Sequence, residues 1–268
     1  MELIPRFKEE QVFIIEAFIV HSVRESGRAG VILGLSGGID SALVAQLCAH
    51  ALGPEHVLAL ALPDGKGGKD LRDARKFAKS LDIEFQIVNI GPIANSMEKR
   101  LRATDADAVT RGNLRARIRM TILYYGANRE GRIVMGTGNK SEILTGYATK
   151  FGDAGADFLP IGDLYKTQVR EMSAHLGLPL DIVEKTPTAG LWPGQTDEGE
   201  LGIAYADLDR VLLGIELQME PEAIAEKAGV PLERVRHVQA LVASSVHKRK
   251  MPLIPKVGIR TVGLDWRE

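Results

Sequence analysis

Apolar residues recur at Val12, Ile15, Ile19 and Val23, with Phe18 beside them, and this spacing predicts an amphipathic helix over about 8 to 26. The next apolar run, Val31 to Leu35, is short, unbroken and ends in glycines, so it reads as a buried strand. Ser41 to Leu52 is helical in composition and stops against Gly53-Pro54. A second strand is expected at Val57 to Leu62, a helix rich in Lys, Arg and Asp from about 69 to 81, and a third strand at Phe85 to Ile90. A helix from about 113 to 127 and a fourth strand at Ile133 to Gly136 continue the alternation. Short strands alternating with longer helices predict an α/β fold: an open, Rossmann-like parallel sheet of about five strands with helices on both faces.

Beyond Gly136 the strand signal weakens. Leu164 to Leu176 and the stretch from about 198 to 249 read as mainly helical, while Pro187, Gly190, Pro193, Gly194 and Gly199 mark a loop between them. No repeat or linker composition interrupts the chain, so a single domain over 1–268 with helical additions at both ends is expected.

Composition narrows the function classes. The 268 residues are 45% hydrophobic and 26% charged, ordinary for a globular protein, and a formal net charge of −1 supplies no basic field for long nucleic acid. No apolar run reaches membrane-spanning length, and charged residues interrupt the first eighteen positions, so neither a membrane anchor nor a signal peptide is expected. A single cysteine, Cys48, excludes an internal disulfide and fits a cytoplasmic location.

The chemistry begins where the first strand runs into Gly34-Leu35-Ser36-Gly37-Gly38-Ile39-Asp40-Ser41 and then a helix. Glycines allow a tight turn whose backbone N–H groups converge on an anion, and the helix N-terminus adds partial positive charge. Ser36 and Ser41 can donate hydroxyls. Asp40 would repel a phosphate unless a cation lay between them, which implies Mg²⁺. The alternative is a glycine turn with Asp40 capping the helix. At the end of the fourth strand, Met135-Gly136-Thr137-Gly138-Asn139-Lys140-Ser141-Glu142 should face the same cleft. There Glu142 could be a second metal ligand and Thr137 a donor to the nucleotide, or the segment could be a turn with Glu142 in a helix's first turn.

The S-G-G-x-D-S string resembles the pyrophosphate-binding loop of the ATP pyrophosphatases. Together with GNLRARIRM, GTGNKSE, TKFGDAGADFLPIGDLYKTQVRE, PTAGLWPGQTDE and HKR, in this order over nearly the whole chain, it is similar to the ammonia-dependent NAD synthetases. The resemblance implies a homodimeric ligase with an adenine-nucleotide α-hydrolase-like fold that joins ammonia to the nicotinate carboxylate of deamido-NAD through an acyl-adenylate, releasing AMP and pyrophosphate. It also implies that Asp40, Glu142 and Lys166 serve catalysis, with Asp40 and Glu142 on Mg²⁺. Residues 34–41, Thr137, Lys166 and Thr188 would contact ATP, and Arg117, Lys150, Asp157, His247 and Lys248 would contact deamido-NAD.

Several of these have a plainer reading. A lysine opening a helix is usually solvated, Arg111, Arg115, Arg117 and Arg119 could be an exposed helix face, and His247 to Lys250 a basic helix end. Two departures from the family pattern stand out: Arg115 where lysine is commoner, and Ala154 in place of a glycine, which could restrict the loop before Asp157. Rival assignments are a GMP-synthetase-like or tRNA-modifying ATP pyrophosphatase, or a non-catalytic ATP sensor. Thiolation chemistry would want several cysteines, and Cys48 lies on an apolar helix face. A glutamine-using synthetase would carry several hundred more N-terminal residues with a catalytic Cys, so ammonia is the expected nitrogen donor.

Overall fold

The computed structural model describes residues 3–102, 105–192, 194–262 and 265; Pro193, expected in the loop, lies outside them. In chain order the elements are α1 (Glu10–Ser26), β1 (Val31–Gly34), α2 (Ile39–Leu52), β2 (Val57–Ala61), α3 (Gly68–Ser80), β3 (Glu84–Ile87), α4 (Gly91–Arg100), α5 (Ala108–Glu130) and β4 (Ile133–Met135). Next come α6 (Lys140–Thr145), α7 (Lys166–His175), α8 (Leu180–Val183), α9 (Asp197–Leu201), α10 (Tyr205–Glu216), α11 (Pro221–Ala228) and α12 (Leu232–Ser244), and a 3₁₀ turn over Val246–Lys248.

The strands form one parallel sheet in the order β3-β2-β1-β4, with Val31 paired to Val57 on one side and Ile133 on the other. Among the described residues the expected count of about five strands is corrected to four. Alongside β4 the backbone makes a single bridge, Met135 to Phe158, with Gly136 N–H donating to Phe158 O at 2.8 Å. Pro160, two residues on, has no N–H to extend the ladder.

Strand alternation sorts the core into two faces. Val31, Leu33, Val57, Ala59, Ile133 and Met135 pack with α1, α2, α3 and α7, whereas Ile32, Leu58, Leu60 and Val134 pack with Ala127 and the adjoining part of α5. Because both faces are covered, β2 is apolar throughout and buried at every position. Cys48 faces this core, where burial pushes its thiol up to about 12 and keeps it protonated. A second apolar core, around Leu208, Val211, Leu212, Ile224, Val235 and Val238, joins α10, α11 and α12. Among the described residues no helix is long and apolar enough to cross a membrane.

The predicted elements appear within a few residues of their expected bounds, except in one region. The stretch after the third strand carries the unpredicted α4, whose Gly91-Pro92 opening looks like a turn but places proline in the first helical turn, where its missing N–H is harmless. Asp107 then caps α5, accepting the Thr110 N–H at 2.6 Å, so that helix starts earlier than its apolar pattern suggests.

Candidate active site

β2 and β3 lie to one side of β1 and β4 to the other, so strand order reverses between β1 and β4. Ligands bind beyond the carboxyl ends of strands at such a reversal. The segments leaving these two strands are residues 35–38, leading into α2, and 136–139, leading into α6.

The first segment is shaped as a cradle. Gly37 has φ +82°, and a Cβ there would stand 2.4 Å from the Asp70 carbonyl oxygen, so both conformation and space demand glycine. Ser36 and Ser41 brace the turn: their hydroxyls lie 3.0 Å apart, and the Gly38 N–H donates to Ser36 Oγ at 3.2 Å. No side chain caps α2, which leaves its first N–H groups for an anion. The capping alternative for Asp40 is excluded, since Gly38 holds the cap position and Asp40 turns to other partners.

Those partners come from the far half of the chain. Asp40 Oδ1 accepts Asn139 Nδ2 at 2.9 Å, and Oδ2 accepts Lys166 Nζ at 2.5 Å. The same ammonium lies 3.4 Å from Glu142 Oε1 and 5.2 Å above the Tyr205 ring. The Glu142 backbone N–H donates to Asn139 Oδ1 at 3.0 Å, while Glu142 Oε2 accepts the Asn139 N–H at 3.2 Å. The helix-turn reading of Glu142 is therefore realised through Oε2, while Oε1 is turned to the Lys166 ammonium.

Lys166 is only 2% exposed, so the solvated-lysine reading does not hold. Burial opposes its charge, but Asp40 and Glu142 outweigh burial and hold the ammonium above the usual lysine range. Burial drives the Glu142 carboxyl upward, with Lys166 opposing and Asp40 adding to the rise.

Sequence reading missed Asn139 in this cluster and three residues around it. Asn139 orients both carboxylates. Lys185 reaches from the 184–196 segment to the Gly37 carbonyl at 2.8 Å and to Asp70 at 2.6 Å. Asp197, 4% exposed, accepts the Tyr205 hydroxyl at 3.2 Å through Oδ2, and its buried Oδ1 has no hydrogen-bond partner. Asp209, fully buried, accepts Ser141 Oγ at 2.5 Å. The QTDE string flagged the neighbourhood of Asp197 without marking the residue, and nothing local distinguished the other three.

Thr137 sits half-buried in the second segment. Thr188 is exposed, its hydroxyl donating to Gln195 O at 2.8 Å within its own loop, and no described contact joins it to Asp40, Glu142 or Lys166.

Three of the five expected dinucleotide contacts are linked by a chain of hydrogen bonds, and a fourth adjoins them in sequence. Arg117 Nε donates to Lys150 O at 3.3 Å, Lys150 Nζ to His247 O at 2.7 Å, and the adjoining Lys248 to Gly146 O and Ala148 O, each at 2.7 Å. Asp157 stands apart from this chain, accepting Tyr124 OH and the Val134 N–H, both at 2.9 Å. Tyr124 and Arg117 are seven residues apart on α5, hence on one face about 10 Å apart along its axis. The short helix α6 links the two regions, with Glu142 in its first turn and the Lys248 contacts just past its end.

The arginine run is not one exposed face. Arg115 pairs with Asp64 and, at 2.6 Å, Glu98, Arg119 donates to Leu62 O at 3.0 Å, and Arg117 stays exposed. Ala154 does not strain its loop either: the left-handed φ there belongs to Phe151, at +60°, and not to position 154.

A parallel sheet with an anion cradle, two carboxylates and a buried lysine at its switch point defines an α/β enzyme acting on phosphorylated substrates. The family model described as NAD synthase matches residues 12–252, and the chain belongs to that family of ligases. It is 50% identical over 243 residues to the NH(3)-dependent NAD(+) synthetase of Methanococcoides burtonii, covering 90% of this chain and 92% of that one. Identity to the Pyrococcus furiosus protein of the same description is 46%, over 89% and 93% of the two chains. Among solved structures, the NMN synthetase from Francisella tularensis superposes with a TM-score of 0.83 at 35% identity, covering 94% of this chain and all of that one. The NH3-dependent NAD synthetase from Campylobacter jejuni gives 0.79 at 32%, over 92% and 98%.

Proposed function

We propose that the chain uses ATP to amidate deamido-NAD with ammonia, giving NAD, AMP and pyrophosphate, and that Asp40, Glu142 and Lys166 serve the adenylation step. The observation that carries this reading is the convergence of two carboxylates and one ammonium, drawn from α2, α6 and α7, beside an uncapped helix N-terminus.

A carboxylate is a poor acyl donor until its oxygen is adenylated, and the pyrophosphate that departs needs its charge neutralised as it leaves. The first N–H groups of α2 and residues 34–41 cradle the phosphates, with Thr137 beside them. Lys166 offers a fixed cation, and Thr188 reaches ATP by rearrangement of its loop. Asp40 and Glu142 would hold Mg²⁺, which supplies charge neutralisation at the phosphates. They fit it: their oxygens already face one cation, the ammonium.

Arg117, Lys150, His247 and Lys248 offer donors to the dinucleotide's pyrophosphate and carboxylate, and Asp157 an acceptor for its sugars. We further infer one domain over 1–268, working as a cytoplasmic homodimer whose dinucleotide site is completed between subunits. Apolar residues left exposed on α1 and α5, Phe13, Ile14 and Tyr125, support the dimer.

The test supplies ATP, Mg²⁺, ammonium and either deamido-NAD or nicotinate mononucleotide, and follows AMP and the amide product. AMP with NAD from deamido-NAD is expected. Preference for the mononucleotide would move the chain toward the NMN synthetase it resembles, and ATP binding with no AMP from either substrate would leave a sensor.

A further inference from the structure

The N-terminus of α7 carries Lys166 as its first residue, yet Tyr165 at the cap position makes no side-chain cap to it. The missing acceptors come from another part of the chain. Asp209, on α10 within the second apolar core, accepts the Thr167 N–H at 2.8 Å through Oδ2 and the Ser141 hydroxyl at 2.5 Å through Oδ1. Ser141 Oγ in turn accepts the Lys166 N–H at 2.9 Å. Asp209 and Ser141 are both 0% exposed, so no water competes for these bonds.

One carboxylate thereby stitches the first turns of two helices, α6 and α7. Ser141 is the neighbour of Glu142, and Thr167 the neighbour of Lys166. We propose that Asp209 is a positioning residue: from the helical core it sets the placement of Lys166 and Glu142 relative to Asp40, which arrives separately on α2. Asp209 makes no described hydrogen bond to the three side chains; its hydrogen bonds act through the segments that carry Lys166 and Glu142. A buried carboxylate is expensive to keep, and an apolar residue would suit the surrounding Leu208, Val211 and Leu212. Its presence is explained by the two helix starts that it satisfies.

The inference rests on the adenylation roles of Lys166 and Glu142. Three variants test it under saturating substrate. Asp209→Leu keeps the branched shape at a larger volume but removes both acceptors, and kcat should fall about 100-fold, the scale expected when catalytic groups shift by about an ångström. Asp209→Asn keeps an acceptor for Thr167 and a polar partner for Ser141, and should recover most of that loss. Ser141→Ala removes only the relay and decides the matter if Asp209→Leu does not fold; its kcat should fall about tenfold. In the folded variants KM for ATP should stay within about threefold of the parent, and amide exchange at Lys166 and Thr167 should rise while the interior of α10 stays protected.

Parent-like kcat in folded Ser141→Ala or Asp209→Leu overturns the proposal, as does a loss carried by KM or matched by the unfolded fraction. Lys166→Met, measured alongside, separates the two readings. If it keeps parent turnover, the active-site assignment itself fails; if it loses turnover while the Asp209 and Ser141 variants do not, only the positioning role fails.

Discussion

An ammonium that is 2% exposed must be compensated, and at Lys166 two carboxylates from different elements do it. Asp40 and Glu142, the residues that would hold Mg²⁺, already engage the ammonium, so lysine and metal would compete for their oxygens. Lys166→Met should therefore bind Mg²⁺ without nucleotide about tenfold more tightly than the parent, a modest share of the roughly 4 kcal/mol between unit charges 4 Å apart at an effective dielectric of 20. Isothermal titration calorimetry reads this directly, and equal affinities would show that the two cations occupy different places. Asp40, Glu142 and Lys166 were legible in the sequence because they sit in family-like strings. Asn139 was not: its contact with Asp40 spans 99 residues, and no local rule connects them.

At the scale of the element, the glycine loop is the part most nearly written in sequence, since strand, turn and helix succeed one another within a dozen residues. Its geometry adds a prediction that the string alone did not contain. Gly37→Ala combines a left-handed φ with a Cβ on the Asp70 carbonyl, so α3 as well as the loop must shift. Urea unfolding should show a loss of about 1–3 kcal/mol, and KM for ATP should rise. Parent-like stability would mean that the turn relaxes without strain. Periodicity recovered the long helices and buried strands because burial imposes it directly. It missed α4, where Gly91-Pro92 reads as punctuation, but all four strands it located appear, and the backbone after Asp157, which makes one bridge and then meets a proline, adds no fifth.

At the scale of the whole molecule, two cores are tied together where Asp209 and Tyr205 of the helical core meet Ser141, Thr167 and Asp197. The outer surface leaves Phe13 71%, Ile14 64% and Tyr125 68% exposed. Sedimentation velocity should give a species of about twice the 29.2 kDa chain mass, shifted toward the monomer by the double change Phe13→Glu and Ile14→Glu. A monomer at micromolar concentration would sink the dimer proposal; a dimer unmoved by these changes would place its interface elsewhere.

The order of strands and helices, the anion loop and the residue types for phosphate chemistry were determined by the sequence itself. Each is a local property, set by burial period, glycine freedom and the charge a side chain can carry. The reversal of strand order beside β1, the meeting of Asp40 with Lys166 across 126 residues, and the confinement of Thr188 to its own loop were decided only by tertiary structure. Distance along the chain puts no bound on distance in space once helices cross a sheet. Which charges become partners therefore depends on how the layers pack.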